Sequence, residues 1–190
     1  MANQMGAHIR LGQSLHKAVE SWLKDETGDI SSTFHNRWLK YRTWKLLYNP
    51  GEDWDKLHGV GMGLALKFPG SFMSQGITAG LSEDGLSYFS DATILKRRPD
   101  LIAKKGGRVI VVDFKYSIDP WTQKRADMSE QLTETAMVAC QALMEDPPIE
   151  VAICNLCGST GEIRWFYGKR GTSDFEKVCL GGGILEMPNL

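Results

Sequence analysis

The chain has 190 residues, a formal net charge of −1 and a hydrophobic content of 42%. This length suffices for one domain with a substantial core, and the near-neutral charge argues against a protein that coats nucleic acid with its whole surface. The sequence has no apolar run of about 18 residues and no charged segment followed by an apolar one at its start. We therefore expect no membrane partner, no secretion signal and an intracellular protein.

Helices come first in the predicted order of elements. Apolar residues at helical spacing predict an amphipathic helix over 8–25, and a second helix is predicted from residue 31 to about residue 48. Basic and aromatic side chains alternate along the second helix: Arg37, Trp38, Lys40, Tyr41, Arg42, Trp44 and Lys45. Such a pattern is typical of a solvated helix face and also of a basic groove with aromatic platforms for bases. The Gly-rich region 51–82 predicts one helix over 57–68.

The remaining sequence predicts strands with one helix among them. Apolar and β-branched runs predict strands at 87–95, 101–103, 109–112, 149–155 and 163–167. A helix over 122–145, which ends before two prolines, separates the third strand from the fourth. The order helix, helix, three strands, helix, two strands predicts an α/β domain built around a mixed central β-sheet flanked by helices.

The most informative residues lie on the hairpin predicted around Gly106-Gly107. Asp100 precedes its first strand and Asp113 ends the apolar run of its second, so strand pairing would bring the two carboxylates together. Lys115 lies on the same strand face as Asp113 because side chains alternate. Asp91, on the strand before the hairpin, is a further candidate acid.

These residue types suit metal-dependent cleavage of phosphodiester bonds. Mg²⁺ and Mn²⁺ prefer carboxylate, carbonyl and water oxygens, so Asp100, Asp113 and the carbonyl of Phe114 could hold one or two such ions. A bound ion lowers the pKa of its water and neutralises charge on the phosphate. Lys115 could then orient or deprotonate the attacking water and stabilise the charge that develops on the phosphate.

The cysteines leave a second metal site open. Of the four cysteines, Cys154 and Cys157 alone have ligand spacing, and one such pair is half of a zinc site. The pair lies in an apolar run that reads as a strand. We therefore expect free thiols in a reducing compartment.

Pro99-Asp100 and Asp113-Phe114-Lys115 together resemble the central motif of the PD-(D/E)xK nuclease superfamily. The resemblance implies a restriction-endonuclease-like core, a single nuclease domain over residues 1–190 and a catalytic metal, Mg²⁺ or Mn²⁺. Within the superfamily the chain looks most like the RecB-type nucleases, which include lambda-exonuclease-like enzymes. That closer resemblance implies a nucleic-acid substrate, with DNA favoured over RNA.

Two flanking motifs carry the closer resemblance. Residues 11–20 are similar to the family's helix with a glycine, a histidine four residues on and a later glutamate, which implies that His16 is an additional metal ligand. Gln131 lies in a segment that resembles the family's glutamine motif, which implies that it positions the substrate or the water. Thr135 stands where that motif has a tyrosine. Iron–sulfur members carry a cysteine before the histidine helix; this chain has none there, and we expect no cluster.

Other functions remain open at this point. The viral cap-snatching endonucleases share the fold and cleave RNA with Mn²⁺; in that alternative His35 is the metal ligand, with Glu52, Asp53 or Asp55 as a further acid. The central spacing does not separate the two resemblances, but the flanking motifs favour the RecB-type. A further alternative is a non-catalytic nucleic-acid-binding or scaffold protein on the same fold. A protein partner, or a larger parent polypeptide, is also left open.

Overall fold

The computed structural model describes residues 6–25, 28–79, 86–89 and 94–181. The candidate acid Asp91 lies outside these ranges. The chain forms two compact units of three segments each: Met1–Gln75, Phe114–Trp121 and Asn155–Arg164 in the first, and Gly76–Asp113, Thr122–Cys154 and Trp165–Leu190 in the second. Within the described ranges, no helix has the length and apolar character needed to cross a membrane.

The first unit is built on three helices, α1 (Ala7–Lys24), α2 (Ile30–Leu39) and α3 (Trp54–Met73). The predicted first helix is confirmed, and its apolar side is buried at helical spacing from Leu11 to Trp22. The third helix is longer at both ends than predicted. It begins where the Asp53 side chain accepts a hydrogen bond from the backbone N–H of Lys56.

Helix α2 ends at Leu39, so the prediction of a helix to residue 48 was wrong. Beyond it the backbone closes tight turns, in which Tyr41 donates to the carbonyl of Trp38 and Trp44 to that of Tyr41. The guanidinium of Arg10 lies 5.3 Å from the ring centroid of Tyr41 and 5.2 Å from that of Trp44. The seven basic and aromatic residues therefore do not share one helix.

Within the described ranges, seven strands form two sheets. A five-stranded mixed sheet has the order β1-β4-β5-β6-β7, and β2 pairs with β3 in a separate ribbon. The strands are β1 (Ile77–Ala79), β2 (Leu86–Phe89), β3 (Ile94–Arg97), β4 (Leu101–Lys105), β5 (Arg108–Ser117), β6 (Ile149–Cys157) and β7 (Glu162–Arg170). The C-terminal ends of β5 and β6 lie side by side, since Gly158 N–H donates to the Ser117 carbonyl over 2.8 Å. A helical connection between such strands is typical of a parallel pair.

Some predicted elements are divided and two are new. The strand predicted over 87–95 is the antiparallel ribbon of β2 and β3. The helix predicted over 122–145 is two helices, α4 (Gln123–Asp127) and α5 (Glu130–Leu143). Ser129 divides them because its hydroxyl accepts from the N–H of Leu132 and starts a new helix. Strand β1 and helix α6 (Thr172–Gly181) were not predicted.

Candidate active site

The β4–β5 hairpin positions the two predicted acids. Its turn residues Gly106 and Gly107 have φ of 57° and 82°, the left-handed pair that matches the twist of a two-residue hairpin. The register pairs Leu101 with Val112, so Asp100 and Asp113 come directly beyond this pair on the two strands. The predicted hairpin is confirmed, and it brings both carboxylates to one end.

Asp113 is buried, with 7% of its surface exposed, and lies against helix α5. The Gln131 side-chain amide donates to its Oδ1 over 3.3 Å. Gln131 is in the first turn of α5, and its carbonyl accepts a 2.7 Å hydrogen bond from the hydroxyl of Thr135. Two of the residues predicted for the site, 18 positions apart, are therefore in contact.

The strand segment that precedes Asp113 is apolar and buried. Ile110, Val111 and Val112 precede it on β5 and are fully buried. Burial, and then the charge of Asp113, raise the pKa of the Cys154 thiol well above its usual value. The thiol is therefore neutral at physiological pH, and it is not an activated nucleophile.

Lys115 lies two residues beyond Asp113 on the same strand and is half-buried. Its carbonyl accepts a 3.1 Å hydrogen bond from the side-chain amide of Asn155, a fully buried residue of β6. The same amide donates to the hydroxyl of Ser117, and its oxygen accepts from the backbone of Trp121. Asn155 therefore fixes the stretch of β5 that carries Lys115; nothing in its sequence position indicated this role.

His16 lies in the first unit, on α1. Its ring centroid is 6.4 Å from that of Phe114, and its Nε2 is 3.8 Å from a carboxylate oxygen of Glu20 one helical turn on. His16 and Phe114 line an open cavity of about 410 Å³ in this unit. A Cβ added to Gly12 would lie 3.3 Å from the Tyr116 side chain, so glycine allows the helix to approach β5 closely here.

Metal ligands are only partly assembled. Across the described ranges, no three His, Cys, Asp or Glu side chains come close enough to form a metal-binding group. His16, Asp100 and Asp113 as metal ligands therefore stay predictions. The two carboxylates fit Mg²⁺ or Mn²⁺ nevertheless, because such ions are commonly held by one or two carboxylates with water and phosphate oxygens.

The alternative metal sets are dispersed. His35 Nδ1 lies 2.9 Å from His58 Nε2, whereas Glu52 is hydrogen-bonded to His8 and Asp53 caps α3. The four cysteines are buried free thiols. Cys154 and Cys157 are three residues apart on β6, so their side chains point to opposite faces of the strand.

A cluster in the first unit was missed by the sequence analysis. His8 Nε2 lies 2.8 Å from the carboxylate of Glu52, and its Nδ1 lies 2.8 Å from the hydroxyl of Tyr116. Because a carboxylate only accepts, Nε2 carries the proton, and in the neutral ring Nδ1 accepts from the tyrosine. Burial, and then the charges of Glu52 and Cys157, raise the pKa of Tyr116 above its usual value. The three residues are far apart in sequence, and no spacing signals them.

No protein-family model matches the chain, and no curated protein matches its sequence. Among solved structures, the crystal structure of a candidate exonuclease from Eubacterium rectale is similar at a TM-score of 0.52 and 11% identity, covering 93% of this chain and 69% of that one. The crystal structure of SSO0001 is a second match, at 14% identity over 100% of this chain and 78% of that one, but its TM-score of 0.34 is too low to support an argument. The first likeness shows the fold. With the five-stranded mixed sheet flanked by helices, it is consistent with a restriction-endonuclease-like core.

Proposed function

We propose that this chain is a divalent-metal-dependent nuclease of the PD-(D/E)xK type that hydrolyses phosphodiester bonds, with DNA as the favoured substrate. One observation supports the proposal above all others. The hairpin register sets Asp100 beside Asp113, and Gln131 holds the Asp113 carboxylate from the adjacent helix. Lys115 follows two residues later on the same face of the strand. The exonuclease assignment of the similar structure agrees with this proposal.

Each residue would have a distinct role. Asp100, Asp113 and the Phe114 carbonyl would hold Mg²⁺ or Mn²⁺, which supplies an acidified water and neutralises phosphate charge. Gln131 fixes the orientation of the Asp113 carboxylate through its hydrogen bond. Lys115 orients the attacking water and places a positive charge where negative charge grows on the phosphate, which costs no reorganisation during the reaction.

The RNA-cleaving alternative has less support from the geometry. It needs His35 beside an acid from residues 52–55, and His35 is instead paired with His58. The DNA preference rests on the RecB-type resemblance of the flanking motifs. A non-catalytic protein on the same fold should show neither stabilisation by Mn²⁺ nor cleavage, and the following experiment measures both.

The test separates metal binding from cleavage by using two site variants and one control. We expect saturating Mn²⁺ to stabilise the wild type and Lys115→Ala, by about 2.7 kcal/mol or roughly 5–11 °C at a hundredfold excess over Kd. Asp113→Asn should lose this shift. Both variants should lose cleavage, by at least about a hundredfold for Lys115→Ala. Lys104→Ala removes an exposed lysine of the same hairpin and should cleave normally. Normal cleavage by Lys115→Ala would contradict the proposed function.

A further inference from the structure

A groove of about 340 Å³ runs along α1 and α2 in the first unit. Three of the residues that line it are basic, Lys17, Arg37 and Lys40, and none of those described there is acidic. We call this feature the basic groove. Because the whole chain has a net charge of −1, a cluster of cations without lining acids is a local departure from the average surface.

The positive charge of the basic groove is only partly neutralised. Lys17 is ion-paired with Glu20 on the same helix. Arg37 and Lys40, on and just beyond α2, form no ion pair with any described residue. Two cations of the groove are therefore available to an anion from outside the chain, and the phosphates of a nucleic-acid strand are anions that lysine and arginine side chains neutralise.

An aromatic cluster adjoins the basic groove through Tyr41. The Arg10 guanidinium is 5.3 Å from the ring of Tyr41, which lines the groove, and 5.2 Å from that of Trp44. The two rings meet edge to face with centroids 5.0 Å apart. Arg10 also donates to the side chain of Gln13 over 2.8 Å. These contacts fix the indole of Trp44, yet 51% of its surface is exposed.

We propose that the basic groove binds a single strand of nucleic acid. Arg37 and Lys40 contact its phosphates, and the exposed indole of Trp44 stacks on a base. Stacking on a side chain requires an unstacked base, which a single strand offers and an intact duplex does not. Sequence-tolerant proteins that bind single strands combine such a charged groove with aromatic platforms.

The basic groove also has a direction. Gln13 and His16 line both this groove and the 410 Å³ cavity that Phe114 lines. A strand bound in the groove would therefore follow α1 toward Phe114, the residue of β5 between the proposed acid Asp113 and Lys115. That the bound strand is the substrate rests on the proposed function. If so, the substrate class is single-stranded nucleic acid.

The test measures binding in EDTA, so that no cleavage occurs. Fluorescence anisotropy of labelled oligo(dT), oligo(rU) and a duplex is followed as salt is raised. The groove variant Arg37→Gln/Lys40→Gln is compared with Lys169→Gln/Lys177→Gln, which removes the same charge at exposed positions of the second unit. We expect the groove variant to bind about tenfold more weakly at low salt, with a salt slope smaller by about 1.4. The control should match the wild type.

Trp44 is tested separately. Trp44→Leu should weaken binding of oligo(dT) by about five- to a hundredfold and have little effect on an abasic strand of the same length. Circular dichroism checks that each variant is folded. Equal affinity of groove variant and control, or a duplex bound as tightly as the single strands, would overturn the inference. Comparison of oligo(dT) with oligo(rU) identifies which kind of strand is preferred.

The failure of this inference is distinguishable from that of the proposed function. Lys104→Ala, the control for cleavage, should bind the labelled strands like the wild type, because this exposed lysine does not line the groove. If cleavage depends on Lys115 while the groove variant binds normally, the inference falls and the proposed nuclease stands. If the groove variant loses binding while Lys115→Ala cleaves normally, the reverse holds.

Discussion

Arg170 at the end of β7 is a buried cation that holds the start of α5. It is 5% exposed. Its Nε donates to the hydroxyl of Thr133 over 2.8 Å, and its Nη2 donates to the carbonyls of Ala126 and Asp127 over 2.8 and 3.1 Å. All three acceptors are uncharged oxygens at the junction of α4 and α5. Substitution Arg170→Ala should therefore destabilise the segment that carries Gln131.

The expected loss follows from these three hydrogen bonds. Each bond from a charged donor contributes about 1.5–3 kcal/mol, and the cost of burying the guanidinium offsets part of the sum. Removal leaves these three oxygens without this donor, and also the Lys169 carbonyl, which accepts from Nη1 over 3.1 Å, so we expect a net loss of about 3–5 kcal/mol in the free energy of unfolding. For a chain of this size the melting temperature should fall by roughly 6–20 °C.

Urea titration followed by circular dichroism measures the loss, and hydrogen exchange of the amides of α5 locates it. Lys169→Ala is the control, since the neighbouring lysine side chain is exposed. Arg170→Lys should rescue only part of the stability, because an ammonium lacks the planar fork that reaches both helices. If Arg170→Ala stays within about 1 kcal/mol of the wild type, these hydrogen bonds do not stabilise the α4–α5 junction.

Two further predictions concern the first unit. A Cβ at Gly61 would lie 2.0 Å from buried Phe34, whereas nothing lies within 4 Å of a Cβ at Gly63 on the same helix. Gly61→Ala should therefore lower the free energy of unfolding by about 1–3 kcal/mol, and Gly63→Ala should raise it by up to about 1 kcal/mol, as measured by tryptophan fluorescence in urea. Equal effects of the two substitutions would contradict this packing. Burial alone would raise the pKa of Glu52, but the hydrogen bond and charge of His8 lower it. The stability that this carboxylate contributes is present above its pKa in the unfolded chain and is lost as the pH falls through its pKa in the folded protein. Between about pH 5 and 3, the free energy of unfolding should therefore fall more for the wild type than for Glu52→Gln. Parallel plots of unfolding free energy against pH for the two proteins would refute this.

Local signals explain what the sequence predicted correctly. The hairpin follows from an apolar run, a Gly106-Gly107 turn and strand alternation, all within a few residues, and these also imply that Asp100 lies near Asp113. The family resemblance singled out Gln131 as a residue that positions the substrate or the water, but its hydrogen bond to Asp113 was not predicted. The end of α2 at Leu39 has no such local signal, and the contact of Arg10 with the rings of Tyr41 and Trp44 joins residues some thirty positions apart. Contacts of that kind leave no periodic trace in the sequence.

The same reason explains the residues that were missed. His8 contacts Glu52 across 44 positions and Tyr116 across 108. Asn155 reaches Lys115 across 40. Each partner is an ordinary polar residue when viewed alone, and only the folded chain brings them together: β6 beside β5 for Asn155, and α1 beside Glu52 and β5 for His8.

The rate of phosphodiester cleavage with Mn²⁺ is the most direct test of whether this chain is a metal-dependent nuclease. End-labelled single-stranded DNA, single-stranded RNA and duplex DNA are incubated with the wild type and with Lys115→Ala, and EDTA serves as the metal-free control. We expect the wild type to cut single-stranded DNA, EDTA to abolish the cutting, and Lys115→Ala to slow it by at least about a hundredfold. Equal rates for the two proteins, or no cutting of any substrate by folded wild type in saturating Mn²⁺, would contradict the proposed function.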